Sequence, residues 1–208
     1  YEIYQCDWSS DVCSSDLTLT SSALAAGTHA ITARFPASAR YAASVSGPLS
    51  QAVAPASTTT TVVSSNAAST YGGSVTFTVT VATANGTTAS GSVSVLDGAA
   101  SIGTCTLASG SCSVTTSTLG AGGHPMSARY AGDANHASST SAQIDQTVAQ
   151  AATTTSVASS SLSSAFGASV TFTVTVSPAA AGGSATVYDG ANALGTYTLV
   201  SGVCSISS

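Results

Sequence analysis

Few residues in this chain can do chemistry, and their spacing narrows what that chemistry could be. Cys105 and Cys112 flank Ser109-Gly110, a turn-forming pair. If that pair makes a two-residue turn, Cys112 lies opposite Leu107, on the same face as Cys105 and diagonal to it. Diagonal neighbours are about 7–8 Å apart, so a disulfide needs a bulge or extra twist to close. Two buried thiols are the alternative. Asp97, Asp133 and Asn135 offer oxygen ligands, but no Asp-x-Asp-x-Asp spacing holds them together, and turn roles through backbone hydrogen bonds are expected instead. His124, His136, Asp133 and the many serines could be assembled into a nucleophile–base–acid set. No G-x-S-x-G elbow is present to expose and activate a serine, so no catalytic residue is assigned. No second Cys pair and no His pair lies at metal-ligand spacing, and neither metal nor cofactor is expected. Asn85-Gly86-Thr87 fits a glycosylation sequon, yet Asn-Gly is also the strongest hairpin-turn pair, and the hairpin reading is preferred.

Three arginines and no lysine cannot neutralise a phosphate backbone, which argues against nucleic-acid binding. No apolar run approaches the roughly 20 residues of a membrane-spanning helix, so no membrane insertion is expected. Charged residues are 5 % of the chain, against roughly 25 % in ordinary globular proteins, while 43 % are hydrophobic. Charge-driven disorder needs the opposite profile.

Residues 1–17 stand apart. They hold the only Trp, the only Glu and four of the eight acidic residues. Asp7–Leu17 resembles a translated Illumina-type sequencing adapter, and the segment is read as non-native and set aside. Without it, Arg34, Arg40 and Arg129 stand against Asp97, Asp133, Asp145 and Asp189, so the net charge of −5 says nothing about partners.

The rest of the sequence repeats itself. Ser74–Val81 recurs 95 residues later as Ser169–Val176, and Asp97-Gly98 recurs 92 residues later as Asp189-Gly190. Leu119, His124, Ala128-Arg129 and Val148 have counterparts at Leu24, His29, Ala33-Arg34 and Val53. This divides the chain into 18–53 (the end of one unit), 54–148 (a complete unit) and 149–208 (the start of a third), a piece of a longer array. The elements that must position the candidate residues are strands. Val75, Phe77, Val79 and Val81 alternate with threonines, a period of two that buries one face. Seven such runs separated by turn signals in one unit predict an all-β antiparallel sandwich. Tyr71, Phe77 and Tyr130 all sit on core-facing patterns, leaving the complete unit no exposed aromatic platform for a sugar. The two partial units, each with an open apolar face and free strand edges, are expected to pair between molecules.

The order TTTTV, YGGSVTFTVTV, GSVSVLDG, ARYAGDANHASSTS resembles the bacterial immunoglobulin-like repeats of large secreted and surface proteins. The resemblance covers 54–148 fully and both flanks in part. Its most specific piece is Arg129–Asn135 with Ser138–Ser141, the end of a late strand and the turn beyond it. It implies tandem immunoglobulin-like sandwiches outside the cell, with neighbouring repeats as partners and a non-catalytic spacer or stalk role. The alternative is an adhesin or carbohydrate-binding module contacting a surface glycan or protein ligand, or an accessory domain of a secreted hydrolase. An exported setting favours the Cys105–Cys112 disulfide. Tyr130 resembles the tyrosine corner of such folds, whose hydroxyl pins a loop. In the first copy Phe35 replaces Tyr130 and Ser38 replaces Asp133, so neither the hydroxyl nor that carboxylate is indispensable to the turn.

Overall fold

The computed structural model describes residues 19–207; residues 1–17, read as non-native, lie outside the described residues. Every regular element among them is a strand. They form two compact units, one taking residues up to Ala67 with Val75–Thr116 and His124–Gln146, the other taking Ala68–Ser74, Ser117–Gly123 and Thr147 onward.

In the first unit, β1 (Gly27–Ile31) pairs antiparallel with β4 (Leu49–Val53), and β2 (Arg34–Phe35) with β3 (Ser44–Val45). Between residues 19 and 53 only Ala26, His29 and Val53 are even half-buried. The next strands are β5 (Thr58–Ser64), β6 (Ala68–Thr70), β7 (Val75–Thr83), β8 (Ser92–Asp97), β9 (Ala100–Thr106), β10 (Ser111–Thr116), β11 (Gly122–Tyr130), β12 (Ser139–Thr140) and β13 (Ile144–Ala149). One sheet runs β10-β7-β5, and the other runs β13-β11-β8-β9 with β12 beside β11. The end of β13, Thr147–Ala149, pairs parallel with β6 in the second unit.

The core follows from the period-two pattern. Val75, Phe77, Val79 and Val81 of β7 are buried, as are Val93 and Val95 of β8 and Met126, Ala128 and Tyr130 of β11. The intervening threonines of β7 face outward, where β-branched side chains favour the strand and stay hydrated. Polar cross-links join the sheets at their rim: Thr58 and Thr60 both reach Ser139 Oγ at 2.7 Å, and Ser64 Oγ donates to the side-chain carbonyl of buried Gln146 at 2.6 Å.

Two expectations need correction. Tyr71 does not face the core but is 55 % exposed, because Tyr71-Gly72 forms a turn after β6 and breaks the alternation. Asn85-Gly86 does turn the chain, but no hairpin results. The strands on either side, β7 and β8, belong to different sheets, so the turn feeds a crossing between sheets.

The second unit continues with β14 (Thr154–Ser159), β15 (Thr171–Ser177), β16 (Ser184–Asp189), β17 (Asn192–Thr198) and β18 (Val203–Ser207). They pair as β14-β15-β18 and β16-β17, the arrangement of β5-β7-β10 and β8-β9 over again. Even the irregularities recur 92 residues on: a register shift at Val187/Tyr188 echoes that at Val95/Leu96, and positive φ at Ser201 echoes Ser109. Val157, Leu162, Phe166 and Tyr188 are well exposed here.

Candidate functional site

The densest polar constellation among the described residues sits where the chain leaves β11. Gly132 has φ +89°, and a Cβ there would meet the His136 carbonyl at 2.9 Å and the Ser138 nitrogen at 3.1 Å, so only glycine lets the chain fold back this tightly. The loop closes on itself when Asp133 N–H donates to the His136 carbonyl at 3.0 Å.

That turn aims the Asp133 carboxylate inward, where both oxygens are taken. Oδ1 accepts the backbone N–H groups of Asn135 and His136, each at 2.9 Å. Oδ2 accepts Ser90 N–H at 2.9 Å and Ser90 Oγ–H at 2.8 Å, which ties the loop before β8 to the loop after β11. His136 Nδ1 lies 2.8 Å from Oδ1. Burial by itself would push this carboxyl up, but hydrogen bonds from Ser90, His136 and Asn135 favour the charged form and hold it well below the usual carboxylate range. Tyr130, fully buried, donates its hydroxyl to the Ser90 carbonyl at 2.7 Å. Burial, reinforced by the nearby Asp133 carboxylate, pushes its phenol up to about 12.

On the other side of the imidazole, His136 Nε2 lies 2.7 Å from Thr87 Oγ1, and Thr87 Oγ1 donates to Asn85 Oδ1 at 2.6 Å. Hydroxyl, imidazole and carboxylate thus line up in the order of a nucleophilic triad. The proton count works against that chemistry. The single hydroxyl proton of Thr87 goes to Asn85, so Nε2 has none to abstract while that bond stands. As built, the set joins three loops: 83–90, 131–138 and, through the parallel Ala56–His136 bridge, the segment leading into β5.

The sequence places Asp133, His136 and Tyr130 in one turn region, and the structure brings them together. Asp97 and His124 go elsewhere, bonding each other at 2.7 Å. The antiparallel ladder of β8 and β11 sets Asp97 opposite Met126 and Val93 opposite Tyr130, so Asp97 and Asp133 stand at opposite ends of it. Among the described residues no group of three His, Cys, Asp or Glu could hold a metal ion. Thr87 and Ser90 were invisible as partners, because the sheet crossing that delivers them leaves no periodic trace. The sequon reading of Asn85-Gly86-Thr87 was the one available signal.

Cys105 and Cys112 form a disulfide, with Cα atoms 5.9 Å apart. Ser109 (φ 51°) and Gly110 (φ 77°) make the turn, and Ala108 and Ser111 bond each other across it. Beyond that pair the strands part, β9 into one sheet and β10 into the other. The disulfide therefore links the edges of the two sheets, which sit so close that a Cβ on Gly103 would lie 2.7 Å from Val114 Cγ1. Cys204, the counterpart of Cys112, is free of any disulfide among the described residues.

Residues 60–149 match the family model described as bacterial Ig-like domain (group 3). The solved fibronectin(III)-like modules of Clostridium thermocellum CbhA are similar over 71 % of this chain and 77 % of theirs, at 16 % identity and a TM-score of 0.36. No curated protein matches the chain.

Proposed function

Because residues 60–149 match the bacterial Ig-like domain model, we propose that the chain is a run of such domains serving as a spacer in an exported bacterial protein. Ig-like modules are generally non-catalytic parts of larger proteins, often extracellular ones, and the Cys105–Cys112 disulfide suits an oxidising compartment. The observation that carries the reading is the state of the segment entering the domain. Ala56 N–H donates to the Asn135 carbonyl at 2.8 Å, and Ala137 N–H donates to the Ala56 carbonyl at 2.9 Å. A segment stitched into the following sandwich cannot swing as a free linker does, and a stalk requires limited bending. The uncharged Ser/Thr surface stays hydrated while offering little to charged partners.

Residual dipolar couplings on the whole chain test this. The hairpin of β1 and β4 is expected to share one alignment tensor with the sandwich of β5 to β13. Independent tensors for the two would reject the spacer reading.

A further inference from the structure

We infer that Asn135 is a junction residue, whose side-chain carbonyl captures the backbone of the preceding unit and fixes its orientation. The inference rests on the spacer reading, since it takes residues 19–53 as the end of a preceding unit. Its basis is one contact. Ala26 N–H donates to Asn135 Oδ1 at 2.9 Å, across 109 residues of sequence. Ala26 is also one of only three residues in that segment that are half-buried.

Asn135 is held ready for this by its own main chain. Its N–H is taken by Asp133 Oδ1 and its carbonyl by Ala56 N–H, so its side chain projects from a backbone anchored at both ends. The donor side is equally specific. Ala26 precedes Gly27 at φ +137°, a conformation that side chains disfavour, and the strand β1 starts there. The same Leu-x-Ala-Gly sequence recurs as Leu119–Gly122, where Gly122 has φ +144° at the start of β11. Ala121 therefore precedes a glycine of the same conformation as Ala26 does, and its N–H is the counterpart donor toward a unit that follows. The acceptor is not universal. Arg40 occupies the position equivalent to Asn135 in the first copy and carries only donors, so a junction entered through that copy lacks this latch.

The test uses the whole chain. In Asn135→Ala, the Ala26 amide is expected to exchange with solvent about tenfold faster, and the β1–β4 hairpin to lose the alignment tensor of the sandwich. The melting transition of the sandwich should stay in place, because the backbone bonds of residue 135 remain. Asn135→Asp, which keeps an acceptor oxygen, should retain both the slow Ala26 exchange and the shared tensor. Unchanged exchange and a shared tensor in Asn135→Ala would overturn the inference while leaving a stiff wild-type junction. So would a loss of the shared tensor in both variants accompanied by a lower melting temperature, which marks a folding role. Independent tensors already present in the wild type would instead reject the spacer reading beneath it.

Discussion

Residues 27–53 and residues 122–148 carry the same pattern at a 95-residue offset but differ in burial. Met126 and Tyr130 are fully buried, whereas their counterparts Ile31 and Phe35 are 41 % and 46 % exposed. Local structure is nevertheless shared in detail. Ala128 and Ser141 exchange two hydrogen bonds, N–H to Oγ at 2.9 Å and N–H to carbonyl at 2.8 Å; Ala33 and Ser46 exchange the same two, each at 2.9 Å. The turn closed by Asp133 N–H on the His136 carbonyl is closed in the first copy by Ser38 N–H on the Tyr41 carbonyl. Strand and turn formation is thus a property of the local sequence. Burial belongs to whichever copy also has a second sheet to pack against.

The sharpest way to break this comparison is Phe77→Ala against Phe172→Ala. Removing a fully buried aromatic should cost the sandwich that holds Phe77 about 3–5 kcal/mol in chemical denaturation. Phe172 is only half-buried in the second unit, and its loss should cost much less. Equal losses would show that the flanking copy has a core of its own.

Next in size is the disulfide. Replacing Cys105 and Cys112 by serine opens a short loop, expected to remove about 2–3 kcal/mol. Reductant should reproduce the loss in the wild type. The third copy has Tyr197 and Cys204 at these positions, so reductant should leave the melting of that region unchanged.

Asp133→Asn turns one acceptor into a donor facing existing donors, at an expected cost of about 1–3 kcal/mol. The wild-type pH profile carries the same information. A depressed carboxyl contributes stability above the ordinary aspartate range that is lost as pH falls through its folded value; Asp133→Asn should flatten that acid limb. Tyr130 works at the other end. Its raised phenol contributes stability below its ordinary value near 10 that is lost as pH rises through about 12.

The smallest effect is Tyr130→Phe, which removes the bond to the Ser90 carbonyl for about 1 kcal/mol and should erase the alkaline limb. Phe35→Tyr in the first copy should change nothing measurable, since Phe35 is too exposed to order a loop. A gain there of the same size would show that the tail builds a corner of its own.

Much of this was legible in the sequence because strands announce themselves with a period of two. The repeats fix which residues correspond, and Val75–Val81 declares its buried face unaided. Tyr71 misled because a turn interrupts the alternation just where the aromatic falls. Asn85-Gly86 misled because a turn signal states that the chain reverses, but not which sheet receives it.

By itself the sequence determined the all-β class, the repeated pattern, the inward face of Val75–Val81 and the nearness of Tyr130, Asp133 and His136 along the chain. Each of these rests on neighbours in sequence or on a copied pattern. Only the tertiary structure decided that Thr87 and Ser90 meet that turn, that Cys105 and Cys112 bridge two sheets, and that Ala26 reaches Asn135. The first two depend on where the chain crosses from sheet to sheet. The crossing is set by closing two apolar faces on each other, a condition on the whole domain that no local run of residues encodes.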